Sequence, residues 1–165
     1  MRTRPALTAD DVNKILAACE AEAAKNKWAV SIAVTDESGY MLGFTRTDGA
    51  GGITAEVAHL KAKGAALTGR PSKFFEDRLK DRVAFLKFPA GIPIQGGVPL
   101  LYQGERVGAI GVSGVQSHED EQIADVGAWI DLQAQKILRV KDADHAIAIA
   151  IDHRKARMRS FHDAR

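Results

Sequence analysis

One cysteine, Cys19, stands in this chain of 165 residues. That excludes an internal disulfide framework and any CxxC metal or redox pair, and it fits a reducing compartment. Long apolar runs are also missing: no stretch approaches the roughly 20 apolar residues of a membrane-spanning helix. The N-terminal MRTRPALTADDV has no apolar segment of the kind a secretion signal needs. The expectation is a cytoplasmic protein with no membrane partner. Charge of one sign is lacking too, since 23 Lys and Arg meet 21 Asp and Glu for a net of +2. No nucleic-acid partner is expected from that balance. The five histidines show neither HxxxH nor HExxH spacing, so no metal site is expected.

A composition 45% hydrophobic and 27% charged is that of a globular protein with one sizeable core. Charge divides it unevenly. Residues 133–165 hold eight Lys or Arg against four Asp or Glu, a net of +4, which leaves residues 1–132 at −2. The expected division is a domain over 1–132 and a C-terminal extension over 133–165. Within the extension, Ala146-Ile147-Ala148-Ile149-Ala150-Ile151 alternates like a strand, yet its alanines and the polar run after it suit a helix. Oligomer or pocket contacts are its expected role, and a basic amphipathic helix is the alternative.

Val12, Ile15, Leu16, Cys19 and Ala23 make one helical stripe, with Thr8 as cap and Asp10 and Asp11 at the positive end of the dipole. Residues 29–46 alternate as a hairpin turning at Glu37-Ser38-Gly39. The loop Asp48–Gly52 leads to Thr54, expected to cap a helix to about Leu67, and Ser72 is expected to cap another through about Leu86. A glycine- and proline-rich loop precedes a second hairpin, Val98 to Tyr102 and Arg106 to Val112. The small residues Gly108, Ala109 and Gly111 suit a central strand closely covered by a helix. Ser117 caps the last helix. The order helix, hairpin, helix, helix, hairpin, helix predicts an α+β fold, one antiparallel sheet with helices packed on it.

Candidate chemistry gathers on the Thr54 helix. Glu56, His59 and Lys63 share a polar face, either an acid/base group or an ion-paired surface. Lys61 lies at the margin of the buried stripe, where it either snorkels or pairs with a carboxylate such as Asp36 or Asp48. Arg46 and Asp48 sit at the hairpin end beside Gly51-Gly52. With Gly96-Gly97, these glycines give two mobile backbones able to approach an anion. Neither is a P-loop, and Gly-Val-Ser-Gly at 111–114 is no nucleophile elbow. The first-turn run His118-Glu119-Asp120-Glu121 reads as a solvated helix start. Cys19, on the apolar stripe, reads as a buried and inert thiol.

Five blocks taken in order, Val34-Thr35-Asp36 with Gly39, Arg46-Thr47-Asp48-Gly49-Ala50, Lys61-Ala62 with Gly69-Arg70-Pro71-Ser72, Gly91-Ile92-Pro93-Ile94, and Val107-Gly108-Ala109-Ile110-Gly111-Val112-Ser113-Gly114, resemble the GlcG/HbpS family over about residues 7–132. That family includes the C-terminal domain of propanediol-utilisation corrinoid adenosyltransferases. The resemblance implies a profilin-like or PAS-like fold, an antiparallel sheet of about five strands, and a homo-oligomer. It also implies haem binding in some members and a place in catabolic operons in others. Lys61, Asp36, Arg46 and Asp48 match recurring positions; His59 stands where an aliphatic residue is common.

These residues support three functional expectations. The first is a homo-oligomeric protein binding a small anionic ligand, haem or another anionic tetrapyrrole, between the Thr54 helix and the two glycine loops. Phe44, Phe74, Phe75, Phe85 and Phe88 would form the slot, His59 the axial ligand, and Lys61, Lys63 and Arg46 the cations. The second is an enzyme of organic-acid or aromatic catabolism, with Lys61 or His59 as catalytic base and Arg46 holding a carboxylate. The third is an assembly subunit without a ligand.

Overall fold

The computed structural model describes residues 3–137, with side chains as far as Trp129. Met1–Leu132 form one compact unit. The 143–151 segment, open between helix and strand, lies outside the described residues.

Helix α1 (Ala9–Lys25) starts where the sequence marks it. The Asp11 N–H donates to Thr8 Oγ1 at 3.2 Å, and the Thr8 N–H donates back to Asp11 Oδ2 at 2.8 Å, a reciprocal capping box. Strands β1 (Ser31–Asp36) and β2 (Met41–Arg46) form the first hairpin. Its turn is held by Asp36 Oδ1, which accepts the N–H groups of Ser38 and Tyr40 at 2.9 and 2.8 Å. Gly39 there adopts φ +83°, a conformation open to glycine at little cost. Helix α2 (Ile53–Thr68) comes next, then a single turn α3 (Lys73–Glu76) and a 3-10 turn, Val83–Lys87. Strands β3 (Gly97–Tyr102) and β4 (Glu105–Ser113) make the second hairpin, and α4 (Ser117–Ile137) closes the described chain.

The sheet has four strands among the described residues, not about five, in the order β2-β1-β4-β3 and antiparallel throughout. Alternation along the two central strands gives it two different faces. Ile32, Val34, Ile110 and Val112 meet Ile15 and Cys19 of α1 and Ile123 of α4 in the main core. Each such aliphatic side chain contributes about 1.5–3 kcal/mol on burial. The opposite face carries Ala33 and Ala109, packed on Ala58, Ala62, Ala65 and Ala66 of α2. Gly111 permits that approach: a Cβ there would fall on the Ala58 carbonyl oxygen and the Ala62 amide nitrogen.

Two local expectations are corrected. Thr54 does not cap α2; the helix begins at Ile53 with Gly52 as cap, and Thr54 Oγ1 instead donates to the Gly51 carbonyl at 2.6 Å and lies 2.7 Å from Ser31 Oγ. The helix expected from Ser72 to about Leu86 breaks after one turn. Residues 76–82 offer one aliphatic side chain, Leu79, and so no apolar stripe to bury. The chain folds back instead, and Phe75 meets Phe74, Phe85 and Phe88 at centroid distances of 5.1, 5.6 and 4.6 Å.

Candidate functional site

Lys61 is 1% exposed and points inward from α2. Its ammonium donates to Asp120 Oδ2 at 2.8 Å and to the Val112 carbonyl at 2.9 Å. The partner is therefore Asp120, not Asp36 or Asp48, and the first turn of α4 is no solvated start at this position, because Asp120 is 2% exposed. Burial pushes the Asp120 carboxyl above its ordinary range, while the Lys61 ammonium and the Val115 N–H pull the other way. The ion pair ties α2, β4 and α4 together.

Gly96 and Gly97 belong to the same construction. Both are buried, and a Cβ on Gly96 would come within 2.9 Å of Lys61 Nζ, Asp120 Cβ and the Val112 carbonyl oxygen. The Gly97 N–H donates to Ser72 Oγ at 2.8 Å. These glycines are fixed points of close packing rather than a mobile ligand loop. Gly51 and Gly52 differ: they are exposed, at the start of α2.

The other candidates gather elsewhere. Between Val34 and Thr35 the β1–β2 pairing slips, so that Val34 faces Gly43 and Thr35 faces Met41, with Leu42 inserted as a bulge. Gly43 is pressed against Val12 of α1. Phe44 and Arg46, opposite Ala33 and Ser31, therefore take the α2 side of the sheet. Helix α2 lies over β1, β4 and β3 and leaves β2 bare on that side. Met41, Leu42 and Phe44 are 45%, 44% and 40% exposed, an apolar shelf on an edge strand.

Helix α2 walls the shelf and runs antiparallel to β2. At one end Lys63 packs its stem on Gly39, and the His59 Nε2 lies 3.4 Å from the Gly39 carbonyl oxygen. Arg46 is at the other end, its guanidinium beside Gly52. Glu56, exposed, stands one turn before His59. The structure thus sets His59 and Lys63 at the turn that opens β2, Arg46 with Gly51 and Gly52 at the other end of that strand, Phe44 on it and Glu56 exposed on α2, and places Lys61, Gly96 and Gly97 in the interior. Asp36 holds the hairpin turn, and Asp48 is exposed in the loop after β2. Phe74, Phe75, Phe85 and Phe88 pack on one another, apart from Phe44. Among the described residues no cluster of three His, Cys, Asp or Glu is placed to hold a metal ion.

The sequence sets Asp120 in a run that reads as a solvated helix start, and it does not mark Met41 and Leu42, the exposed pair on β2. A lysine at the margin of a buried stripe calls for a carboxylate partner, and Asp120 comes soon enough after β4 for the chain to return it there. Met41-Leu42-Gly43-Phe44 has three large apolar residues in four successive positions, more than strict alternation on an edge strand would give.

The family model described as haem degrading protein HbpS-like matches residues 7–128. This chain belongs to the HbpS-like family. The HbpS-like chain is 40% identical to Protein GlcG of Escherichia coli K12 over 114 residues, 68% of this chain and 85% of that protein. HbpS of Streptomyces reticuli, solved as a double mutant, superposes with a TM-score of 0.73 at 32% identity, covering 78% of this chain and 88% of that one. A complex of PduOC with heme has the same fold at a TM-score of 0.69 and 21% identity, covering 75% of this chain and 94% of that one.

Proposed function

We propose that this HbpS-like protein is a cytoplasmic, self-associating ligand-binding protein that takes haem, or another anionic tetrapyrrole, on the shelf between β2 and α2. One observation carries the reading: an imidazole, His59, meets the turn that opens β2, a strand with exposed apolar side chains and a cation, Lys63 or Arg46, toward each end. A porphyrin needs an apolar surface, a nitrogen ligand for its iron and cations for its propionates. Phe44, Met41 and Leu42 meet the first need, His59 the second, and Arg46 and Lys63 the third. The His59 contact to Gly39 is long at 3.4 Å, a weak hydrogen bond to exchange for a ligand. The haem-degrading family description and the heme-bound fold relative support the ligand class.

Bound haem would supply the redox and oxygen chemistry; the chain's own part is to bind and orient the ring and to keep one face of it dry. The slot expected from five phenylalanines reduces to Phe44, since the other four satisfy one another. Lys61 as a catalytic base has no observation in its favour, because its ammonium is buried in the ion pair with Asp120.

Titrating the full chain with hemin tests the reading. A shifted, saturable Soret band is expected, weakened at least tenfold in His59→Ala and in Phe44→Lys. An unchanged band in the wild type, or equal titrations in all three proteins, overturns it.

A further inference from the structure

The chain that folds back after α3 passes through the 3-10 turn Val83–Lys87, and that turn is apolar on two sides. In such a turn, side chains three positions apart lie one above the other. Phe85 and Phe88 make the inner pair, with ring centroids 5.6 and 4.6 Å from that of Phe75. Val83 and Leu86 make the other pair and face solvent, 67% and 65% exposed. Packing is carried by the inner pair and does not require the outer one.

Cations without counter-charges accompany the exposed pair. Residues 70–88 hold six Lys or Arg against three Asp or Glu, a net of +3. Two of those carboxylates are engaged: Asp77 accepts from Lys73 Nζ at 2.6 and 2.9 Å, and Glu76 accepts the Gln95 N–H. Arg82, directly before Val83, holds its guanidinium 5.3 Å from the centre of the Phe85 ring. Arg78 and Arg70 lie 3.6 and 4.3 Å from that of Phe74. A guanidinium stacked on a ring is oriented by it and keeps N–H groups at its edge for an anion. Lys80 and Lys87 are exposed, and Lys87 directly follows Leu86. Among the described residues, none of Arg70, Arg78, Lys80, Arg82 and Lys87 pairs with a carboxylate.

Exposed aliphatic side chains among unpaired cations match the boundary of an anionic bilayer, where phosphate headgroups lie over hydrocarbon. A nucleic-acid strand would ask for open rings on which to stack bases, and here the phenylalanines pack on one another. The 133–165 extension, with its net of +4, has the wrong sign to be the occupant. The expectation of no membrane partner rests on the lack of a spanning segment, and no helix among the described residues is long and apolar enough to cross a membrane. That excludes crossing a bilayer and leaves open lying against one.

We propose that the Val83–Lys87 turn docks this protein on an anionic lipid surface. Val83 and Leu86 enter the boundary of the acyl chains, while Arg82, Lys87 and Lys80 meet headgroup phosphates. Two aliphatic side chains and a few cations make a small anchor, so attachment is reversible and weakens with salt. It does not depend on haem.

Flotation of the full, ligand-free chain with two kinds of vesicle tests this: phosphatidylcholine alone, and phosphatidylcholine mixed with phosphatidylglycerol. The chain is expected to float with the mixed vesicles at low salt, to stay behind with the neutral ones, and to be released by high salt. Val83→Ser with Leu86→Ser is expected to weaken binding at least tenfold, and so is Arg82→Gln with Lys87→Gln. These side chains are exposed, so circular dichroism and urea unfolding of both variants are expected to match the wild type. No flotation, equal flotation with both vesicles, or undiminished binding of the serine variant overturns the proposal. Retention of a single-stranded oligonucleotide with no vesicle binding overturns it in favour of a nucleic acid. If the serine variant instead dissociates an assembly of the vesicle-free protein, the occupant is a second copy and the lipid surface is excluded.

Discussion

Lys61→Met keeps most of the volume of the buried side chain and deletes its charge, leaving the Asp120 carboxylate and the Val112 carbonyl without their donor. Both members of the ion pair are almost wholly buried, so solvent does little to screen the loss. Breaking such a pair from one side costs about 3–5 kcal/mol, against a total stability of about 5–15 kcal/mol for a domain. The double replacement Lys61→Met with Asp120→Leu removes the stranded charge. It still leaves the Val112 carbonyl and the Val115 N–H unpaired at about 1–3 kcal/mol each, so recovery is expected to be partial.

The pH dependence has a definite sign. Burial already holds the Asp120 carboxyl above its ordinary range, and the lysine opposes that rise. A folded-state pKa above the unfolded one means the native state binds the proton more tightly. The stability this group contributes is then full below the unfolded value, about 3.9 for an aspartate, and is lost as pH rises through the folded value. Removing Lys61 widens the gap, so the variant is most impaired at neutral pH and recovers in acid. Urea unfolding monitored by circular dichroism across that range measures it. A neutral-pH loss below about 1 kcal/mol, the size of a surface pair, or a loss independent of pH, would refute the reasoning.

Other substitutions test the packing. Gly111→Ala sets a methyl group against the α2 backbone and is expected to destabilise by at least about 1–3 kcal/mol in urea. Gly69→Ala, at the left-handed cap of α2 with φ +66°, is expected to cost about 1–2 kcal/mol in the same measurement. Thr8→Ala removes the α1 capping box and should lower stability by about 1 kcal/mol. Cys19, fully buried with its thiol pushed up to about 12, should resist a disulfide reagent at mildly alkaline pH until urea unfolds the chain.

The sequence makes the architecture legible because its signals are local. Thr8 with Asp11, the alternation from Ser31 to Asp36, and the small residues of β4 each announce an element through neighbours a few positions away. The segment after Ser72 misleads because helix caps are local while the fate of a helix rests on a stripe to bury, and Leu79 alone does not make one. Lys61 is legible as a buried cation, but its partner lies 59 positions on, and nothing local distinguishes Asp120 from an ordinary first-turn acid. The glycines at 96 and 97 read as mobile for the same reason: flexibility is intrinsic, and the packing that removes it comes from α2 and α4. Phe44 and Phe75 look alike in the sequence; α2 leaves Phe44 exposed on β2, while Phe74, Phe85 and Phe88, brought back by the chain reversal, cover Phe75.

The central claim, that ligand is held on the β2–α2 shelf by His59, is tested most directly by amide NMR of the full chain titrated with gallium protoporphyrin, a diamagnetic stand-in for hemin. Shifts are expected to concentrate at Met41 to Arg46, at His59 and Lys63, and at Gly51 and Gly52, leaving Gly96, Gly97 and Asp120 unmoved. Shifts centred on the Lys61–Asp120 interior or on the Phe74–Phe88 cluster, with the shelf silent, would contradict it.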